Sequence, residues 1–584
     1  MIQKTALVIA LVMLTIPTRA AWTQEANPFD ADIEVWREDL QTIVHDIRAI
    51  HPDPFTKIGE LTFMRQAEAL EDALPTMTSA ERVVGLMQLV ASLGDGHSGI
   101  ELLSPAYAQW YPIRILHFAD GYYVTSAHRS VSELAGAQVI EIAGRPVDEV
   151  VNRARTLMGA DNDLDNLERM YAVHNAFLMQ GMGYANEDGS VRMRFRGRNG
   201  HMINRTMEPV QGAWADGSLN PIFDWHFYAE VYGLPIGTSV DWVSAFGDVS
   251  ADTFRTADEN RPPFMGLRRR YYRRHIPESD SVYLQLNQTD DTDFVPFIRD
   301  TLSLVDEVQP EHFIIDLRND FGGDGSIANE MIREFIMRQP DTPWENLYVL
   351  TGRKTFSAAM VVLDAFVEHA NPTIIGEPAG QPFNFYGDNE WRMFPRLGLR
   401  LEVSALRHQM APSDDLSPYI SVDVPAIWTF DDYIHGRDPA VDPILRGEDM
   451  RSIPNIALSE GGDAARVAYR TRLAAATGFE WWSPPEEIVL RRVCDELVRE
   501  ERFEEAVQTC TLNTEIHPTI WNTWYNLAGS LRDADRAEER WSPYHCVTEM
   551  APTNWNVPDI LAAMENAGLN VEDIPLPEGC PVAR

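Results

Sequence analysis

The chain has 584 residues, 45% of them hydrophobic, which is material for roughly three or four domains. Its 49 Lys and Arg against 88 Asp and Glu leave a formal net charge of −39, which argues against a nucleic-acid partner and favours solubility. The four cysteines, Cys494, Cys510, Cys546 and Cys580, all fall in the C-terminal tail, and neither a CxxC nor an HExxH pattern offers a metal site.

Met1 to about Ala21 reads as a signal peptide, with Lys4 before the apolar run Ala6 to Leu14 and small residues at Ala20 and Ala21. The run is short for a membrane span. An exported chain, periplasmic or secreted, is therefore expected, and its cysteines are expected to form disulfides. Residues 28–108 read as an N-terminal helical domain. Glu34 to Ile50, Phe63 to Leu74 and Thr78 to Leu93 carry apolar residues at helical spacing. The third helix runs into Gly94-Asp95-Gly96-His97-Ser98-Gly99, where flanking glycines leave an imidazole free at a helix end. Residues 109–280 read as β-rich with an insertion. They contain Trp214, Trp225, Tyr228 and Trp242, and a basic cluster from Arg268 to Arg274 that would pair with the chain's own carboxylates.

From Ser281 strands alternate with helices, which predicts a mostly parallel sheet over 281–445. In such sheets, sites gather beyond the carboxyl ends of the strands. Two turns lie there. One is Arg318-Asn319-Asp320-Phe321-Gly322-Gly323. The other comes after the strand Leu347 to Leu350 and leads through Lys354-Thr355-Phe356-Ser357 into an apolar helix. A serine at such a helix start has free N–H groups and the positive dipole end beside it, as a nucleophile needs, although an N-cap serine has the same local pattern. Residues 446–485 read as a linker. In 486–584, Ile516-His517-Pro518 is echoed 34 residues later by Met550-Ala551-Pro552, the period of tetratricopeptide repeats. On antiparallel helices of one such repeat Cys494 would face Cys510, leaving Cys546 to pair with Cys580.

Several motifs, in order, resemble the tail-specific (C-terminal processing) serine peptidases and their tricorn-like branch. They are Leu93 to Ser98, Gly136 to Val147, Asp316 to Gly323, Thr355 to Ala359, Gly376 to Gly380, and Tyr433 to Pro439. The resemblance covers roughly residues 34 to 445, weakly between 150 and 280. It implies an α/β multidomain fold: a Clp protease/crotonase-like core, an N-terminal helical segment and a PDZ-like β region, with the repeat module here placed after them. It also implies Ser357 as nucleophile. Many members pair that serine with a lysine after Gly-Glu, where this chain has Gln381 and Pro382. The tricorn-like branch uses a histidine before the core, and His97 matches it. Asp415 falls where the branch has its acidic residue, with Asp388 as rival. Asp320 stands where the family often has asparagine.

The expected chemistry is acyl transfer on a peptide or protein substrate. His97 would take the Ser357 proton, and the Ala358 N–H with that of Gly322 or Gly323 would hold the oxyanion. No metal or organic cofactor is required. The repeat module offers a surface for a protein partner. The alternative reading is a catalytically inactive, peptidase-like binding protein.

Overall fold

Three amphipathic helices open the computed structural model, which describes residues 28–582 apart from 169, 212–241, 246–269, 291–292 and 339–340. The leader, Trp214, Trp225, Tyr228, Arg268 and Arg269 lie outside the described residues. Helix α1 (Ile33–Ile50) buries Trp36, Leu40, Ile43 and Ile47 along one stripe, and α2 (Glu60–Ala73) buries Phe63 and Ala67. Helix α3 (Ser79–Ala91) starts from a capping box between Thr78 and Glu81. It ends into the loop that carries His97, where Gly94 takes a left-handed φ of 70°. Strand β1 (Gly99–Leu102) leaves that loop and pairs antiparallel with Leu399–Glu402, tying the histidine segment to the far end of the core.

The β-rich region is an antiparallel sheet. Its strands are β2 (Ile113–Phe118), β3 (Gly121–His128), β4 (Gln138–Ile142), β5 (Val191–Arg196), β6 (Met202–Met207) and β7 (Trp242–Ser244), in the order β7-β3-β4-β5-β6, with β2 also on β3. Helix α4 (Val147–Ala154) buries Val150 and Val151 against it. One apolar cluster runs from Ile43 and Leu86 to Val124 and Phe195, so the N-terminal helices and this sheet share a core rather than standing as separate domains. Two short helices come after α4: α5 (Asp163–Glu168) and α6 (Ala176–Gly181).

The second layer is a six-stranded sheet of β8 (Tyr271–Ile276), β9 (Ser281–Leu286), β10 (His312–Asp316), β11 (Asn346–Thr351), β12 (Thr373–Gly376) and β15 (Val424–Pro425), paired in that order. Only the β8 edge is antiparallel. The helices α7 (Phe294–Val308), α8 (Gly325–Ile336) and α9 (Ala358–His369) make the crossovers. Side-chain alternation splits the strands between two apolar clusters. Val282, Phe313, Ile315 and Val349 meet the crossover helices, while Tyr283, Ile314, Tyr348 and Ile375 meet Val441 and Ile444 on the other face. Burial on both faces is why β9 and β10 read as nearly continuous apolar runs. From the basic cluster, Arg273 lies over the Phe297 ring at 5.2 Å and reaches Thr301 Oγ1 at 3.5 Å rather than taking a carboxylate. A long hairpin, β13 (Asn384–Phe394) with β14 (Leu399–Gln409), completes the β1 sheet.

Residues 446–485 are not an extended linker. Helices α10 (Ile453–Glu460) and α11 (Gly462–Ala475) meet at Gly461 and pack on the next pair, α12 (Glu487–Arg499) and α13 (Phe503–Ile516), through Ile456, Ala465, Leu490 and Leu512. Glycine is required at 462, because a Cβ there would lie 2.2 Å from the Gln508 carbonyl carbon. Helices α14 (Trp521–Asp533), α15 (Trp541–Met550) and α16 (Val557–Asn566) complete the module. The Cys546–Cys580 bond is present. The expected Cys494–Cys510 bond is not: the two are buried thiols that contact each other, and the Cys510 Sγ also lies 3.2 Å from Ser530 Oγ.

Candidate active site

Strand β11 ends in a turn whose hydrogen bonds fix the entry to helix α9. The Thr355 hydroxyl donates to Leu317 O at 2.8 Å and accepts from the Gly352 N–H, and the Phe356 N–H donates to Asp320 O at 3.0 Å. Held there, Ser357 has φ 56° and ψ −121° at the start of α9, and its hydroxyl makes no capping bond to that helix. A non-glycine residue in this region costs of order 1–3 kcal/mol, which the surrounding turn must offset. The hydroxyl faces His97 instead: Ser357 Oγ and His97 Nε2 are 3.0 Å apart across 260 residues of sequence. Both residues are half-buried, which leaves them within reach of solvent. The imidazole is stacked between Phe356 and Phe385, with centroids 4.4 and 5.9 Å away.

The loop under His97 is equally determined. The buried Asp95 carboxylate accepts from the His97 N–H at 3.0 Å, from Ser98 Oγ at 2.5 Å and from Ser404 Oγ at 2.6 Å, and His51 Nε2 lies at 3.3 Å. Burial pushes its pKa up. The hydrogen bonds from His51, Ser404, Ser98 and the His97 amide outweigh burial and hold the group below the usual carboxylate range. Asp95 therefore stays an anion that anchors the backbone on which His97 rides.

Gln381, fully buried, joins the two site segments. Its Oε1 accepts from the Ser357 N–H at 2.5 Å, and its Nε2 lies 3.2 Å from His97 Nδ1. The same Nε2 donates to Asp161 Oδ2 at 2.6 Å. Sequence alone assigns a role to neither Gln381 nor Asp161. Gln381 stands out there only as the residue at the lysine position, and nothing local distinguishes Asp161 from the chain's many other acids. The carboxylates named from sequence lie elsewhere. Asp415 is exposed and its Oδ1 accepts from the Ser417 N–H, an ordinary turn contact. Asp388 is paired with His408 Nε2 at 2.8 Å.

The glycine turn divides its work. Gly322 (φ 102°) gives its N–H to Asp320 Oδ1 at 2.9 Å, so that N–H is committed and is not an oxyanion donor as expected. What Gly322 provides is space: a Cβ there would sit 2.6 Å from Ser357 Cβ and 2.7 Å from the Ala358 nitrogen. Gly323 forms a parallel bridge with Thr289 through its neighbours, Gly322 O and the Asp324 N–H, so its own N–H takes no part in that bridge. Asp320 is fully buried, and burial pushes its pKa up to about 7 against the hydrogen bonds from Thr289 and Gly322. Behind the turn, Arg318 is gripped by Asp316 and Asp438, with Nη2 at 2.6 and 2.8 Å from them.

No family model and no curated protein matches the chain at a significant level. Solved structures of similar shape include mature CPAF complexed with lactacystin, at 13% identity and TM-score 0.47, covering 71% of this chain and 99% of that one. The photosystem II D1 C-terminal processing protease is similar at 13% identity and TM-score 0.33, over 72% of this chain and 98% of that one. The tricorn protease is similar at 12% identity and TM-score 0.32, over 71% of this chain and 36% of its own. At these scores the likenesses carry no argument, and the chemistry is read from the site's own geometry.

Proposed function

We propose that this protein is a serine peptidase of the tail-specific kind that cuts peptide bonds with Ser357 as nucleophile and His97 as its base. The observation that carries this is the strained Ser357 hydroxyl lying 3.0 Å from His97 Nε2 without capping its own helix. His97 removes the hydroxyl proton as Oγ attacks the carbonyl carbon, and returns it to the leaving amine. The Ala358 and Gly323 N–H groups are the donors for the oxyanion. The antiparallel sheet of residues 113–207 is the PDZ-like peptide-binding domain, and the helices from α12 on are the repeat module that takes a protein partner. The leader sends the protein to the periplasm or the exterior.

Incubation with unstructured protein and peptide libraries, read by mass spectrometry, is the test. Cleavage by the wild type and none by Ser357→Ala of equal thermal stability supports the proposal. Equal cleavage by both, or by neither, defeats it. The second reading is an inactive peptide receptor. It draws on the Gln381 amide, whose NH2 group faces His97 Nδ1 and so leaves the neutral ring's proton on Nε2, where it cannot accept one.

A further inference from the structure

The acid that reaches the site comes from the β-rich domain, on the loop 158–162 between α4 and α5. Glycines on both sides permit this approach. A Cβ on Gly159 would lie 2.1 Å from Asp95 O and 2.7 Å from Ser98 O, so the loop rests directly on the His97 segment. A Cβ on Gly96 would lie 2.5 Å from Asp161 Oδ2 and 3.0 Å from the Phe356 ring, so the space left on the His97 segment is the space the carboxylate fills. Two polar clamps hold the loop. Asn162 Nδ2 donates to Ala379 O at 2.9 Å and to Pro418 O at 3.1 Å. Lys57 Nζ donates to Gly94 O at 2.7 Å and to Asp161 O at 3.2 Å. Burying a carboxylate is costly unless it is paired, and Asp161 commits its Oδ2 to the Gln381 amide, which touches both Ser357 and His97.

We propose that Asp161 is a positioning residue for His97, acting through the Gln381 side-chain amide. This rests on the peptidase reading above. In the orientation present, Gln381 donates to Asp161 and faces His97 Nδ1 with its second hydrogen, which keeps the neutral ring's proton on Nε2. Rotating the amide by half a turn puts Oε1 between the two residues. Oε1 then accepts from Nδ1–H, the tautomer that frees Nε2 to take the Ser357 proton. That orientation gives up the bond from the Ser357 N–H and turns Nε2 toward it, so the amide must draw back from the 2.5 Å present. It also sets Oε1 against Asp161 Oδ2, which is stable only when Asp161 carries a proton and donates it. The change moves the ring proton from Nε2 to Nδ1 and adds one proton to Asp161, both exchanged with solvent. The groups facing Asp161 favour its protonated form near neutrality. Burial and the Asp95 charge push its pKa up to about 7, with Asp165 adding to them, while Lys57 and the Gln381 bond oppose. His97 lies on the far side of the amide, and His51 lies behind Asp95.

The test measures kcat and KM from pH 5 to 9 on a cleaved peptide, together with Ser357 acylation by a fluorophosphonate, for wild type, Asp161→Ala and Asp161→Asn. Wild-type kcat is expected to fall as the pH rises through neutrality. Asp161→Ala lowers kcat about 100-fold with KM within about twofold. Asp161→Asn, whose amide donates as the protonated acid does and cannot ionise, recovers about tenfold of that loss, and its kcat lacks the alkaline fall. An Asp161→Asn profile superimposable on wild type overturns the inference, as does an Asp161→Ala variant with unchanged kcat. Should Asp161→Ala fail to fold, the Asp161→Asn profile decides alone. Wild-type protein that neither cleaves nor is acylated fails the peptidase reading itself, a different result from wild-type activity indifferent to residue 161.

Discussion

Ser357 pays for its position with a backbone angle that few side chains tolerate, and its neighbours exist to hold it there. Gly322 is the sharpest case. Its φ of 102° and the 2.6 Å between a would-be Cβ and Ser357 Cβ leave no room for any other residue. Gly322→Ala is therefore expected to displace Ser357 and the Ala358 N–H and to lower kcat/KM about 100-fold or more, with the far-UV circular dichroism unchanged. Wild-type kinetics in that variant would contradict the geometry. Ser357 and His97 stand out in the sequence through the ordered motifs that resemble the tail-specific peptidases, since the local pattern of each fits an N-cap serine or a loop histidine as well. Asp161 does not, since its meaning lies in the segment that a separate loop is folded against. Asp415 stands out only by its place in the chain, and the structure leaves it in a solvent-facing turn.

At the scale of elements, the turn between β10 and α8 carries a fully buried acid at 320. Its folded-state pKa is raised from 3.8 to about 7, chiefly by burial. The folded state thus keeps a proton that the unfolded state releases. Stability contributed by this group is full below about pH 4 and is lost as the pH rises toward 7. Asp320→Asn can still accept from the Gly322 N–H and can donate to Thr289 Oγ1. It is expected to raise the melting temperature by about 1–4 °C at pH 8, with a smaller gain at pH 5. A variant that is less stable at pH 8 than at pH 5, relative to wild type, would show that the charge is not the cost. Strand and helix order in this core is readable because parallel strands buried on both faces must be apolar along their whole length, as Phe313 to Ile315 are. The segment around Gly461 misleads for a physical reason. Glycine marks flexible chain in many sequences, and here two glycines let α10 and α11 turn tightly and press against α13.

Across the whole molecule, the histidine, the serine and the amide that joins them come from three parts of the chain, and the acid from a fourth. Strand β1 on β14, Asn162 on Ala379 and the contact of Arg353 Nη1 with His117 Nδ1 at 2.9 Å hold these parts in register. The C-terminal helices stand outside that constellation, and their disulfide closes a 34-residue separation. Cys546→Ser with Cys580→Ser should lower the stability of the helical module by about 2–4 kcal/mol in denaturant unfolding, while acylation at Ser357 proceeds at the wild-type rate. Loss of acylation in that variant would tie the module to the site. The cysteine pairing is visible only in part: Cys494 and Cys510 do meet as the sequence suggests, but as neighbouring thiols and not as a bond. The most direct measurement is the rate of fluorophosphonate acylation, with the adduct located by peptide mass spectrometry, in wild type and His97→Ala. The account predicts an adduct on Ser357 and a rate about 100-fold lower without the imidazole. Folded wild-type protein with no adduct on Ser357, or equal rates in the two proteins, would contradict it.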